Sequence, residues 1–196
     1  MRNSKLTIMI EGAIIAGVCV ALSFIPLNTA NAAFDISLGI IPLSVYALRR
    51  GALPGLSVGL IWGLLLIVLG KAYFLAIPQV LLEYPVAFAF GGLGGIYSGR
   101  LHRALQTADQ TAHPRDIRAA IPYVILAAVT AAAARWFFHF WAGVIFWGSY
   151  APAGTSPYLY SFVLNGASAA ANAIMLVILL LALFRTTPRL FKPASE

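Results

Sequence analysis

The sequence predicts an all-α integral membrane protein with six transmembrane helices and both termini on the cytoplasmic side. Three observations predict it. Hydrophobic residues make up 61% of the chain and charged residues only 10%, against roughly a quarter charged in a soluble domain. Mean hydropathy is +0.87. The basic residues stand at the ends of apolar runs, where the positive-inside rule puts them. At about 20 apolar residues per span, six helices with short connections fit one membrane domain covering residues 1–196.

The elements follow in order. The first apolar stretch is about 7–26 and ends at Pro26; the second is about 36–48, short, and stops at Arg49-Arg50-Gly51. The third is about 52–70, the fourth about 74–98, the fifth about 118–144 and the sixth about 158–184. At 1.5 Å per residue the second falls short of a bilayer, so a tilted or partly re-entrant segment is expected there. Arg2 and Lys5, an apolar stretch and Ala30-Asn31-Ala32 imitate a signal peptide. The stretch contains Glu11 and is long enough to span, so it is read as a retained first helix. The polar run 99–117 reads as a solvated linker in which His102 and His113 are surface residues.

Charge supports the topology. Arg2, Lys5, Arg49, Arg50, Arg100, Arg103, Arg115, Arg118, Arg185, Arg189 and Lys192 account for 11 of the 13 basic residues and fall on one side of a six-span path. Five or seven spans break that pattern. The net charge of +7 is therefore membrane topology, not a nucleic-acid surface. The single cysteine, Cys19, rules out an intramolecular disulfide and a CxxC site. No cluster has metal-ligand spacing, no cofactor is implied, and there is no GxxxxGK[ST] loop for ATP. Gly55-Leu56-Ser57-Val58-Gly59 matches GxSxG but lies inside a helix without the strand-turn-helix context a serine nucleophile needs.

Glu11, Asp35, Lys71, Glu83 and Arg135 stand apart from the basic loops and tails. A charge at a helix centre costs about 2.5–3.5 kcal/mol on insertion scales, so these residues point to a site or a partner. Glu83 and Arg135 each fall roughly nine residues, or about 13 Å, from the outer end of their helices. They can pair, or share a ligand. Arg135, His139, Gly143 and Trp147 recur every four residues and keep to one face, offering a guanidinium, an imidazole, a gap and an indole. Tyr84 lies beside Glu83, and Tyr160 and Asn165 near the outer end of the sixth stretch. Aromatic belts explain Trp136, Trp141, Tyr150 and Tyr158 equally well. They do not explain a His, an Arg, a Glu and an Asn converging at one depth. The ligand expected is small, flat and partly cationic, because a carboxylate and an amide hydrogen-bond an amino-heteroaromatic ring and an indole face attracts a cation. Asp35, next to Phe34, either neutralises a positive ligand or caps the second helix. Glu11 is interfacial. Ala13-x-x-x-Gly17, flanked by Gly12, Ala16 and Ala21, gives a small-residue face for helix approach.

Leu82-Glu83-Tyr84, the run His139-Phe140-x-Ala142-Gly143-Val144-Ile145-Phe146-Trp147 with Tyr150-Ala151, Tyr160-Ser161 and Asn165-Gly166 resemble the thiamine-specific substrate-binding (S) components of energy-coupling factor (ECF) vitamin transporters. Ser44 to Gly51 and Leu60-Ile61-Trp62-Gly63 fit the same family. The resemblance implies a six-helix cell-membrane protein that binds thiamine at its outer face. It implies a transmembrane coupling subunit and two cytoplasmic ATPase subunits as partners. Glu83, Asn165 and Tyr160 would bind the aminopyrimidine, Trp147 would stack on the ligand, and His139, Tyr84 and Gly143 would line the thiazolium and hydroxyethyl end. Trp62 and Tyr73 match positions near the pocket, and Ala13 and Gly17 match the motif that meets the coupling subunit. Arg135 stands where the family often has Lys, and Lys71 replaces a pocket-side His. The first outer loop lacks the family's Trp, for which Phe34 substitutes, and lacks a Glu at the start of the second helix, where Ser37 or Asp35 sits. The readings that compete with thiamine uptake are an S component for a thiamine precursor or related vitamin, a membrane enzyme using His139, Arg135 and Glu83, and a structural scaffold.

Overall fold

The computed structural model describes residues 4–25, 27, 34–111 and 114–193. Arg2, Pro26, the Ala30-Asn31-Ala32 stretch and His113 lie outside the described residues. Helix α1 is Ser4–Leu22, α2 Ile40–Arg50 and α3 Ala52–Val68. A broken helix follows: α4 Ile77–Leu81, a π-helical turn Leu82–Val86, α5 Ala87–Phe90, a 3-10 stretch Gly91–Tyr97 and α6 Ser98–Thr111. A short 3-10 turn, Pro114–Ala120, leads into α7 Ile121–Phe146, and α8 Pro157–Thr186 ends in a 3-10 turn, Pro188–Phe191.

Among the described residues, four runs are long and apolar enough to cross a bilayer: Lys5–Leu22, Ile77–Thr107, Ile117–Phe146 and Pro157–Thr186. The short elements are α2, at 11 residues, and α3, at 17. At 1.5 Å per residue they reach about 16 and 25 Å, against a core of about 30 Å. Gly51, with φ 99°, makes the reversal between them in one residue, a backbone angle that side-chain-bearing residues rarely adopt.

The polar run after residue 98 corrects the expectation of a linker. It is helical through Thr111, continuing the broken helix. Leu101 and Leu105 are buried on its inner side, and that four-residue spacing makes it amphipathic rather than loop-forming. His102 is half-buried, its Nε2 lying 3.0 Å from the Phe191 carbonyl oxygen. It ties α6 to the C-terminal turn instead of lying free on the surface.

Small residues set the helix spacing. Gly55, Gly59 and Gly63 recur every four residues along α3 and abut the backbone of the broken helix. A Cβ at Gly63 would stand 2.7 Å from Pro85 Cα, and one at Gly55 2.9 Å from the Gly92 carbonyl oxygen. The GxSxG match is thus half of a packing stripe. Ser57 is exposed and donates to the Leu53 carbonyl oxygen, 3.0 Å away.

Two apolar cores result. One, with Leu48, Leu101, Leu105, Val124, Leu180, Phe184 and Phe191, fills the end where the chain's arginines gather. The other, with Cys19, Leu43, Tyr46, Trp62 and Phe88, lies nearer the opposite, aromatic end. Outward faces are apolar too: Val68 is 80% exposed and Ile145 and Ile174 62% each, as suits contact with lipid rather than water.

At the basic end Glu11 is fully engaged. Arg50 donates to it through Nε (2.6 Å) and Nη2 (2.7 Å), and Arg49 Nη2 lies 3.4 Å away. Arg49 also donates to the carbonyl oxygens of Arg189, Leu190 and Lys192. Glu11 is therefore a structural hub that joins α1, α2 and the C-terminal turn.

Candidate functional site

The site is built around an interruption. Pro85 lies inside the π-helical turn. Proline lacks an N–H and crowds the preceding turn, which disrupts regular α-helical bonding. The widened turn carries Glu83 and Tyr84, both half-buried, and α3 can approach it closely because Gly63 has no side chain.

Glu83 is held by two donors. Trp147, just past the end of α7, gives its indole N–H to Oε1 at 2.7 Å, and Gln79, one turn earlier on α4, gives its amide to Oε2. Gln79 is wholly buried. Its Oε1 accepts from the N–H groups of Leu75 (2.9 Å) and Ala76 (3.4 Å), and its Nε2 also donates to the Tyr73 carbonyl oxygen (3.1 Å). Tyr73 N–H donates to Tyr84 Oη at 2.7 Å, and the Tyr73 ring lies 5.2 Å from that of Trp147. A single carboxylate thus organises α4, the loop before it and the end of α7. The sequence reading did not include Gln79. Its signal was available: an amide one turn from a buried carboxylate in an otherwise apolar helix.

Glu83 and Arg135 do not pair, which corrects one expectation. Glu83 is engaged by Gln79 and Trp147, while the ion pair found for Arg135 is with Asp35, Nη2 to Oδ2 3.7 Å. Arg135 is 8% exposed. Its guanidinium lies over the Phe88 ring, 4.3 Å from the centroid, and 5.9 Å from Trp62. Phe88, absent from the predicted set, is the aromatic hub: its ring packs on Trp62 (4.3 Å), Tyr84 (5.6 Å) and His139 (6.4 Å). Trp62 itself is fully buried and donates its indole N–H to Ser23 Oγ. It is the floor beneath Arg135 and Phe88 rather than an open face.

The stripe on α7 holds in part. Arg135 and Gly143 are buried and His139 is half-buried. The gap at Gly143 is filled, however. A Cβ there would collide with Ser161 Oγ and stand 2.7 Å from Asn165 Nδ2. Ser161 donates to the Phe140 carbonyl oxygen (2.7 Å) and accepts from Asn165 (3.1 Å). Gly143 therefore brings α8 and Asn165 close to α7. Tyr160 is half-buried on α8.

Asp35 is not the helix cap. Gly39 holds that position without a side-chain bond. Phe34 is half-buried beside Asp35. Lys71 is set apart, with its ammonium 4.4 Å over the Phe24 ring. Trp141, Tyr150 and Tyr158 are exposed and fit the belt reading. Among the described residues, the buried Arg135 Nε and His139 Nε2 meet no hydrogen-bond partner, and neither do Trp136 Nε1 and Ser44 Oγ. Such atoms are costly unless something meets them. Among the described residues no group of His, Cys, Asp and Glu could hold a metal ion.

The protein-family model described as Thiamine transporter protein matches residues 9–192. The chain belongs to this thiamine transporter family. It is 34% identical over 193 residues to the thiamine transporter ThiT of Lacticaseibacillus paracasei, covering 97% of this chain and 92% of that one. To the thiamine transporter ThiT of Bacillus subtilis it is 30% identical, covering 97% of each. The solved structure of ThiT from Listeria monocytogenes superposes with a TM-score of 0.88 at 40% identity, covering 97% of this chain and all of that one. The chain is thus a multi-pass cell-membrane protein of a transport family. The relatives' names describe transport, a non-enzymatic function, and this answers the enzyme reading of His139, Arg135 and Glu83.

Proposed function

We propose that this chain binds thiamine at its aromatic end, as the substrate-binding component of an uptake system of the energy-coupling factor type. The carrying observation is the Glu83 carboxylate, held between an indole and an amide and accompanied by two unmet buried donor or acceptor atoms on Arg135 and His139. A carboxylate suits the aminopyrimidine: one oxygen accepts from the exocyclic amino N–H, and the other shares a proton with the ring nitrogen. Asn165 lies close to Gly143 and supplies an amide on the facing helix. Trp147 and Tyr73 present aromatic faces to a flat cation. Tyr84, Phe34 and Tyr160 complete the expected contacts.

The basic end is cytoplasmic in this reading and the aromatic end faces out, following the distribution of arginines. Ala13 and Gly17 are exposed on α1, with open space beside Gly17. Gly12 and Ala16 turn inward, where a Cβ on Gly12 would meet Tyr46 Oη at 2.9 Å. The outward pair suits a transmembrane coupling subunit, which two cytoplasmic ATPase subunits would drive. Transport needs only that thiamine bind one orientation better than another.

Calorimetric titration of the detergent-solubilised chain tests the ligand. Thiamine should bind saturably at one site and quench tryptophan fluorescence, because Trp147 adjoins Glu83. Glu83→Gln should weaken binding by about thirtyfold, the loss of charge-assisted hydrogen bonds. Neither heat nor quenching at saturating thiamine, or a Glu83→Gln variant equal to the parent, would show the reading to be wrong. Tighter binding of the isolated pyrimidine half than of thiamine would favour a precursor as the cargo.

A further inference from the structure

Resting on that ligand reading, a second set of contacts defines how the site manages its own positive charge. Arg135 is buried, and its charge faces a site for a cation. Its counter-ion, Asp35, comes from the segment before α2, and the Asp35 side chain is 48% exposed. An acid that open to water would leave the guanidinium readily unless its backbone were fixed.

The backbone is fixed by α8. Asn172 Nδ2 donates to the Asp35 carbonyl oxygen at 2.7 Å, and Asn172 Oδ1 accepts from Ser37 N–H at 2.9 Å. Ser168 Oγ, one turn earlier, accepts from Asp35 N–H at 3.2 Å. Asn172 is 6% exposed, and its Nδ2 also donates to the Ser168 carbonyl oxygen at 2.8 Å. Both ends of its amide are used, and flipping the amide would break the contacts to Asp35 and Ser37. This clamp holds two residues on either side of Ile36, in a segment that is not helical.

We infer that Asn172 is a positioning residue for cation binding: it holds Asp35 against Arg135 and so leaves the charge of Glu83 for the ligand. The charge count makes the case. Glu83 and Asp35 against Arg135 leave the site one negative charge, which matches a monocation. With Asp35 released into water the local sum is zero and an uncompensated guanidinium faces the ligand's cationic ring, in surroundings where charge pairs are weakly screened.

The test uses the full chain in detergent and two probes, thiamine and an analogue whose thiazolium is replaced by a neutral ring of the same shape. Asp35→Asn should weaken thiamine about tenfold and the neutral analogue by less than about threefold. Asn172→Ala should reproduce that selectivity, and Ser168→Ala, a gentler change, should shift it in the same direction by less. The Asp35→Asn/Asn172→Ala pair should be no weaker than the worse single variant, because both remove one effect. Equal weakening of both probes by Asn172→Ala, or full additivity with Asp35→Asn, overturns the inference and makes Asn172 a packing residue. If Asn172→Ala does not fold, Ser168→Ala and Asp35→Asn decide it: an unchanged thiamine-to-analogue ratio in both overturns it. Failure of the parent to bind thiamine removes the ligand reading, and this inference with it, whereas a parent that binds while the ratio stays constant removes only the inference.

Discussion

The two ends of the molecule treat buried charge in opposite ways. At the basic end Glu11 meets Arg50 in a bidentate pair, and Arg49 spends its remaining donors on the carbonyl oxygens of the C-terminal turn. At the aromatic end Arg135 stands 3.7 Å from Asp35 with its Nε unmet, and His139 Nε2 is also unmet. The first cluster is closed and fixes how α1, α2 and the C-terminal turn assemble. The second is more loosely paired, and it is the cluster proposed above to bind the ligand. The presence of charge in an apolar chain does not by itself mark a binding cluster, since Glu11 and Arg50 satisfy one another within the scaffold.

Substitutions at the two ends should act on different observables. The largest effect is expected at Glu83→Ala, which removes the carboxylate and strands the Trp147 indole N–H. Thiamine affinity should fall by about 3 kcal/mol, on the order of a hundredfold or more, read by calorimetry. Arg50→Ala should instead lower stability by about 1–2 kcal/mol, since Arg50 is well shielded while Glu11 is 28% exposed and partly screened. Thermal unfolding would show this, with thiamine affinity within about twofold of the parent. An equal loss of affinity in Arg50→Ala would mean that the ends are coupled and the contrast is false. Trp147→Phe keeps the ring and removes the donor to Glu83, so a loss of about 1 kcal/mol, roughly fivefold, is expected. The smallest effect belongs to Ser57→Ala. Exposed and bonded only to its own helix, it should change stability and binding by no more than about 0.5 kcal/mol.

Much of the candidate site is legible because membrane helices penalise polar residues: Glu83, Arg135, His139 and Asn165 stand out in apolar runs. What they touch was not. Equal depth made Glu83 and Arg135 plausible partners, yet depth says nothing about rotation around the helix axis. The π-helical turn at Pro85 alters that rotation for Glu83. Gln79 and Asn172 do not stand out in the sequence because a lone amide is weaker punctuation than a charge, although each makes more hydrogen bonds there than Tyr160. Glu11 shows the converse, a conspicuous charge that belongs to the scaffold.

Solvent and path follow from the order of residues: composition required a bilayer, and the alternation of apolar runs with arginines set the helical path between the ends. That order also supplied the family likeness. Packing between segments settles the rest: residues 98–111 are helix, the stripe Gly55, Gly59, Gly63 serves close packing, the space at Gly143 is occupied, and Arg135 answers to Asp35. The reason is physical. Transfer into lipid is a property of each segment taken singly, whereas pairing depends on where side chains from distant segments meet once glycine contacts and a proline have fixed the rotation of each helix.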